Sequence, residues 1–320
     1  MQVYRLSIAF FGLITLLTIS AFAIPEWISP FQPDGIKVDL LWNYRLPKTI
    51  TALFAGASLS VSGFILQQLY KNNLAGPYIL GVSSGASLAV GMLIIGSHYF
   101  PFLNHGFGIS LAGFIGATAI LLLVMLVSSR FGSGAIILLF GVIIGQITGA
   151  LQGLLNYMAV PGDLKNFTLW SMGSFSQVIE FDLLFFGVSS LLGIIWAWLI
   201  MPQLSAMLLG DEVAHSLGVN TKSISLQLLI CTGILSGIAT AYCGPIAFIG
   251  MAIPNVSRML FKTVNFRFML LVNGVLGAAM ALISDIISSS EIFGFNIPVN
   301  VCTALIGVPF IIYILLKRKQ

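Results

Sequence analysis

The chain has 320 residues, of which 58 % are hydrophobic and only 8 % are charged, and its formal net charge is +4. Soluble globular domains contain roughly 45–50 % apolar and about 25 % charged residues, so this composition excludes an ordinary soluble protein. The apolar residues come in blocks of about 20, the length that a helix needs to cross the hydrocarbon core of a bilayer. Runs such as 119–127 do not alternate as the strands of a membrane barrel do.

Ten membrane-spanning helices are predicted in chain order. Their ranges are about 5–24, 47–69, 78–97, 108–129, 134–158, 182–201, 223–242, 245–261, 269–288 and 299–316. The first is predicted from its length to be an uncleaved span and not a signal peptide. The eighth is the weakest, because Gly244, Pro245 and Pro254 interrupt it. The predicted fold is an all-α polytopic membrane protein, with residues 1–320 forming one transmembrane domain.

The distribution of lysine and arginine predicts the orientation of these spans. With the N-terminus inside the cell, ten basic residues lie at inner ends, and only Lys37, Arg45, Lys48 and Lys165 lie outside. Cytoplasmic loops of membrane proteins carry the excess of basic residues, so both termini are expected in the cytoplasm. The net charge is therefore a signal of topology and does not indicate nucleic-acid binding.

The fifth predicted span combines a stripe of small residues with polar side chains. Glycine recurs every four residues, at 141, 145, 149 and 153, which allows the backbone of a neighbouring helix to approach closely. Gln146, Thr148 and Gln152 lie in the same span and are costly unless they face protein or water. The span is either a statically packed helix or the lining of a moving interface, and these three residues are candidates for a translocation path.

The loop between the sixth and seventh spans contains a charged cluster, from Met207 to Lys222. Gly210 and Gly218 divide it, which predicts two short helices in place of one long helix. Its polar face carries two acids and a histidine, whereas helices that lie on lipid usually carry lysine or arginine there. A short helix with a compact apolar ridge is typical of a segment that fits a groove on another protein, and this interpretation is favoured over a surface anchor.

Nucleotide-binding and metal-binding motifs are absent from the sequence. It contains no GxxxxGK[ST] nucleotide-binding loop and no HExxH. The three cysteines lie in apolar blocks and the three histidines are far apart, so no metal site and no disulfide is predicted. Asp285, near the outer end of the ninth span, is expected to reach the interface or to cap a neighbouring helix. The chain is therefore not expected to be an enzyme.

Seven short motifs follow one another along the chain. They occupy 45–48, 56–63, 72–77, 80–86, 209–219, 244–254 with Arg258, and 298–309. This series resembles the FecCD family, the membrane permeases of ABC importers for iron–siderophores, haem and vitamin B12, and the resemblance extends from about residue 27 to residue 317.

The resemblance implies an ABC importer type II permease fold in the bacterial cytoplasmic membrane, working as a dimer with a second copy or a paralogue. Partners would be a cytoplasmic ABC ATPase dimer, which binds the ATP, and an extracytoplasmic substrate-binding protein. The chain itself would bind no cofactor. The cargo would be an iron–siderophore, with haem or cobalamin as alternatives. A secondary transporter without an ATPase would need inverted repeats and acids at mid-depth, which are not evident. A structural or assembly protein is the third possibility.

The resemblance also assigns roles to individual positions. Two short coupling helices, in a loop at about 203–222, would contact the ATPase through Leu209, Gly210, Asp211, Glu212, Ala214, Leu217 and Gly218. Arg45 and Lys48 would contact the binding protein, and Asn72 and Leu74 would form a cytoplasmic constriction. Several positions depart from the family pattern, which often has His at Asn255, Arg at Ser289 and Pro at Asn73. Asn296, Ile297 and Asn300 in or before the last motif also depart, and the second docking contact is therefore in doubt.

Overall fold

A computed structural model describes residues 2–23, 39–96, 106–131, 134–178, 180–290 and 297–317. These residues form twelve α-helices. The helices are α1 Gln2–Thr18, α2 Leu46–Leu69, α3 Val82–Ile95, α4 Gly106–Phe131, α5 Gly134–Met158, α6 Pro161–Ser171, α7 Glu180–Leu208, α8 Asp211–Ser216, α9 Thr221–Cys243, α10 Ile249–Leu260, α11 Phe266–Ser289 and α12 Val299–Lys317. Wider helical turns extend α1 at Ile19–Ala23 and precede α2 at Leu41–Arg45.

Ten of these helices correspond to the ten predicted spans. In the described part of the chain, six helices are long and apolar enough to cross a membrane, and shorter apolar helices occur at Gly12–Ala21, Val82–Ile95 and Val299–Ile312. The weak eighth span is α10, a helix of only 12 residues with Pro254 inside it. We call the end of the bundle that carries α8 the α8 end, and the opposite end, which carries α6, the α6 end.

Two elements differ from the prediction. Helix α7 continues past the predicted end at 201, through Pro202, and ends at Leu208. Helix α6 was not predicted, although Pro161 at its first turn and Asp163 within that turn are typical of a helix start. Phe167 and Trp170 of α6 are buried against Val90 and Ile94 of α3, so α6 covers one end of that helix.

Helix α2 lies at the centre of the bundle. Its apolar window, counted from Leu41, is 83 % buried, compared with 28 % for α5 and 33 % for α4 and α7. Helices α7, α9, α10 and α11 all pack against α2. The wide exposed faces of α4, α5 and α7 are therefore available to lipid or to another chain.

Glycines allow α2 to approach two of its neighbours at backbone distance. A Cβ atom at Gly63 would lie 1.7 Å from the carbonyl oxygen of Gly250 in α10, and one at Gly56 would lie 2.2 Å from that of Gly277 in α11. Small residues at such crossings let membrane helices pack closely. Close packing stabilises the bundle where the hydrophobic effect cannot, because lipid is as apolar as the side chains. The motif at 56–63 is thus explained by two helix crossings.

Gly63→Ala is expected to destabilise the bundle by about 1–3 kcal/mol, because its methyl group forces α2 and α10 apart. Gly12→Ala in α1 is the matched control, since no atom lies within 4 Å of a Cβ there. Thermal unfolding in detergent measures both. Equal midpoints for the two variants would contradict this account of the crossing.

Candidate functional site

The loop at the α8 end is built around one short helix. Gly210 has a φ of +114°, a value that L side chains rarely adopt, and the chain turns there from α7 into α8. At the far end, the N–H of Val219 donates to Ala214 and the N–H of Gly218 donates to His215. This pair of bonds is a Schellman motif, which needs the positive φ of +77° at Gly218. The loop is therefore closed by its own backbone.

An apolar ridge projects from this loop. Leu209 is 68 % exposed, Val213 43 % and Leu217 62 %, whereas Ala214 is fully buried and anchors α8 to the bundle. Glu212 is exposed beside the ridge, and α8 begins at Asp211. Three large apolar side chains pointing away from the protein on a rigid loop form a surface suited to a groove on a partner.

The prediction of two short helices in this loop is wrong. Met207 and Leu208 belong to the last turn of α7, and Thr221 and Lys222 begin α9. Only the six residues Asp211–Ser216 form a separate helix in the described loop. Helix α7 continues to Leu208, just before Gly210. The residues that precede this glycine therefore belong to α7 and not to a short helix of their own.

The segment between α2 and α3 forms a tight loop at the same end. The side-chain oxygen of Asn72 accepts a hydrogen bond from the N–H of Leu74 at 2.9 Å, and its backbone oxygen accepts one from Ala75 at 3.0 Å. Leu74 is 38 % exposed. Asn72 therefore shapes the turn that presents Leu74, and the two predicted constriction residues lie together.

A polar network joins this loop to α10. Asn255 donates from its side-chain nitrogen to the backbone oxygen of Asn73 at 2.8 Å, and its side-chain oxygen accepts from Arg258 at 2.9 Å. Arg258 also donates to Gln67 of α2, and Gln67 donates to the backbone oxygen of Met251 at 3.1 Å. The two family departures at 73 and 255 are thus in direct contact.

The α6 end contains a buried ion pair. The Nζ atom of Lys48 lies 2.9 Å from a carboxylate oxygen of Asp285 in α11, and the two side chains are 24 % and 4 % exposed. Lys48 also donates to Ser289, and Ser20 donates to the other carboxylate oxygen at 3.2 Å. Among the described residues, Asp285 does not cap a helix as predicted. It is instead paired with Lys48, because a lone buried carboxylate would be costly.

Arg45 and Lys48 are less open than their predicted docking role suggests. Arg45 is 9 % exposed and interacts within the chain, and Lys48 is engaged with Asp285. Lys48 nevertheless lines a cavity of about 480 Å³ together with Ser176 and Gln177, and with Arg45 it lines a second cavity of about 270 Å³. The docking role stays a prediction.

Lys48→Met is expected to lower the free energy of unfolding by about 2 kcal/mol, because it leaves the Asp285 carboxylate buried without a cation. The loss is smaller than the roughly 3–5 kcal/mol of a fully buried pair, since Lys48 is partly exposed. Adding Asp285→Asn should recover most of the loss. Denaturation of both single variants and the double variant measures this coupling, and a coupling energy of zero would contradict it.

The polar residues of α5 are not brought together at one surface. Gln146 is exposed, whereas the buried Thr148 hydroxyl donates to Ile144 and Gly145 of its own helix. Gln152 donates to the backbone oxygen of Ser87 in α3 at 3.2 Å. Of the three predicted path residues, only Gln146 lies open on the outer face of α5, and the others serve packing within this chain.

The glycine stripe of α5 has two different surroundings. A Cβ at Gly141 would lie 2.6 Å from the backbone oxygen of Ile79, so this part of the stripe is closely packed within the chain. Gly149 and Gly153 have no atom within 4 Å of such a Cβ. Static packing therefore accounts for the first half of the stripe, and the second half lies on the exposed face of α5.

Sequence reasoning missed Gln67 and did not pair Asn255 with Asn73. A glutamine inside the second apolar block is itself a signal, because an amide at membrane depth needs a partner. Among the described residues, no three His, Cys, Asp or Glu side chains are grouped so as to hold a metal ion. The three cysteines are free and buried.

Comparison with known proteins gives consistent matches over nearly the whole chain. The model of the FecCD transport family matches residues 6–317. The hemin transport system permease protein of Yersinia pestis is 36 % identical over 288 residues, 88 % of this chain and 86 % of that protein. The vitamin B12 import system permease protein of Klebsiella pneumoniae is 32 % identical over 309 residues, 96 % of this chain and 91 % of the relative.

Two further matches concern chelated metals. The probable iron chelatin transport system permease protein of Helicobacter pylori is 30 % identical over 281 residues, 88 % of this chain and 83 % of that protein. A solved structure described as an inward-facing conformation of a metal-chelate type ABC transporter superposes with a TM-score of 0.85 at 30 % identity, and the match covers 97 % of this chain and 99 % of that one.

Proposed function

The chain belongs to the FecCD transport family, and from this premise we propose that it is the membrane-spanning permease subunit of an ATP-driven importer. It is a multi-pass inner-membrane protein with the ABC importer permease fold. The positions of its basic residues support a cytoplasmic location for the α8 end and for both termini. ATP hydrolysis would then occur on a separate ATPase subunit, and this chain would supply the path.

The observation that carries this proposal is the exposed ridge of Leu209, Val213 and Leu217. A chain that only spans the membrane gains nothing from holding three large apolar side chains in water. Backbone hydrogen bonds join Leu209 to Ala206 of α7 and Val219, two residues before α9, to Ala214 of α8. A force applied to the ridge by an ATPase groove would therefore move two spanning helices, which is a direct way to couple ATP hydrolysis to a change of the path.

At the α6 end we place the contact with the substrate-binding protein. Arg45 and Lys48 are its proposed cationic residues, and the cavities beside Lys48 offer room for acidic side chains of a partner. With serine at position 289, Lys48 occupies space beside Asp285 on α11. Lys48 would thus take part of the role that an arginine at 289 has in relatives.

The path would run between two permease chains, with Gln146 on the open face of α5 and Leu74 as the closure at the cytoplasmic end. Exposed glycines at 149 and 153 allow a second chain to approach α5 closely. We propose a dimer of this chain with a copy or a paralogue. Thr148 and Gln152 would support the path by holding α5 in place.

We propose an iron–siderophore complex as the cargo, and haem as the second candidate because the hemin permease shares 36 % identity. Cobalamin is the third candidate, from the vitamin B12 permease. The test is uptake by proteoliposomes that contain this permease, its ATPase and its binding protein, with each of the three ligands. ATP-dependent accumulation of one ligand supports the proposal. Uptake driven by an ion gradient without ATP would instead identify a secondary transporter.

A further inference from the structure

A cavity of about 800 Å³ opens at the α8 end of the bundle. It lies where the end of α2, the end of α4, the start of α5, the end of α7 and the start of α9 meet. None of the roles proposed above uses this cavity. It lies beside the α8 loop and the loop of Leu74, against the ends of α7 and α2 from which those loops begin.

The lining of this cavity changes from apolar to cationic. Ile137, Leu204 and Leu229 line it and are each at most 2 % exposed, so they form its deep, dry part. Lys71 and Lys222 line it as well and are exposed, so they stand at its mouth. Within the described part of the chain, neither lysine has a carboxylate in ion-pair range. The cavity therefore has an oily interior and two uncompensated positive charges at its opening.

Lys71 is held at this mouth by the backbone. It is one of two described residues other than glycine with a positive φ, +48°, and its N–H donates to the backbone oxygen of Gln68. Tyr70 and Ser128 also line the cavity, and the buried Tyr70 hydroxyl has no hydrogen-bond partner among the described residues. Hydroxyl groups in that position can donate to ester or phosphate oxygens.

We propose that this cavity binds one anionic phospholipid, with the headgroup phosphate between Lys71 and Lys222 and part of an acyl chain against Leu204 and Leu229. An acyl chain accounts for the apolar interior, which a free phosphate ion would leave unused. The two lysines account for the choice of an anionic over a zwitterionic headgroup, because basic pockets between membrane helices bind such headgroups. The lipid is distinct from the cargo, so the inference goes beyond the proposed function.

A lipid bound here would contact residues next to the α8 loop and next to the loop of Asn72 and Leu74. Met207, Leu208 and Thr221 border the cavity immediately before and after the α8 loop, and Lys71 precedes the loop of Asn72 and Leu74. Occupancy would therefore tie the end of α7 to the end of α2. The consequence is an effect of membrane composition on the permease that needs no change in the ATPase.

Native mass spectrometry of the full chain in a neutral detergent tests the proposal. The chain is titrated with phosphatidylglycerol and with phosphatidylethanolamine carrying the same acyl chains. One phosphatidylglycerol per chain should bind with clear preference, and Lys71→Gln and Lys222→Gln should each weaken it by on the order of five-fold. Lys165→Gln, which removes an exposed charge from α6 at the other end of the bundle, should leave binding unchanged.

Two further measurements keep the proposal falsifiable. Ser225→Trp places a large ring in the cavity while both lysines are kept, and it should also remove the tight binding. Inorganic phosphate at millimolar concentration should not displace the lipid. Equal binding of both lipids would overturn the proposal. So would an unchanged preference for phosphatidylglycerol when Lys71→Gln and Lys222→Gln are combined, or full displacement of the lipid by phosphate. None of these results depends on whether the chain transports a metal chelate.

Discussion

Leu217→Asp is expected to abolish ATP-driven uptake while leaving the permease folded and in the membrane. The side chain is 62 % exposed in the isolated chain, so an aspartate there costs the fold little. In an ATPase groove, the same carboxylate would be buried without a cation, at a cost of about 3 kcal/mol or more, in addition to the lost apolar burial. Binding of the ATPase should weaken by about two orders of magnitude.

Copurification of the ATPase with tagged permease, and ligand-stimulated ATP hydrolysis in proteoliposomes, measure this effect. Val264→Asp is the matched control, because Val264 is 92 % exposed at the same end of the bundle but outside the ridge. Leu217→Met should behave like the natural chain. If Leu217→Asp retains the ATPase and transports normally, the ridge is a membrane-surface loop and not a coupling element.

The length of the apolar blocks was enough to predict the spanning helices. The ends of α5, at 134 and 158, agree with the prediction, and those of α11 and α12 differ by a few residues at most. The same method missed α6, because its 11 residues are much less apolar than the spanning helices and too few to span a bilayer. It also ended α7 too early, because Pro202 was compatible with a helix that continues into the α8 loop.

The site was less predictable than the helices, because its polar residues meet only through the fold. Lys48 and Ser289 are separated by 241 residues, and Asn255 and Asn73 by 182. No local pattern carries such pairings. The sequence did indicate which side chains needed partners, namely an acid and amides at membrane depth. It also located the α8 loop, since glycine spacing and a cluster of charges are local signals.

Asn255 contacts the backbone carbonyl of Asn73, so two positions that depart from the family pattern lie side by side. Asparagine at 255 supplies both a donor for the Asn73 carbonyl and an acceptor for Arg258. The carbonyl of Asn73 and the guanidinium of Arg258, both on partly buried residues, are paired by one small side chain that is itself 5 % exposed. The loop that presents Leu74 is thereby fixed to α10, and we infer that α10 and this loop move as one body.

Asn255→Leu is expected to release that loop. The substitution keeps a similar side-chain volume but removes the hydrogen bonds of Asn255 with Asn73, Met251 and Arg258. Losing them should cost about 3 kcal/mol of local stability. Amide hydrogen exchange of residues 71–77 should then accelerate by about two orders of magnitude, with no change in α9. Proteoliposomes carrying the variant should leak cargo without ATP, because the closure that we propose for Leu74 would open freely.

Two controls separate this positioning role from general damage. Ser236→Ala removes a buried hydroxyl that bonds only to Thr232 of its own helix, and it should leave exchange at 71–77 unchanged. Asn255→His keeps a ring N–H that can donate to the Asn73 carbonyl, so it should restore most of the protection. Faster exchange throughout the bundle in Asn255→Leu would show a loss of fold, and unchanged exchange at 71–77 would show that the network does not hold the loop. A local effect with rescue by histidine would make Asn255 the residue through which α10 sets the closure at the cytoplasmic end.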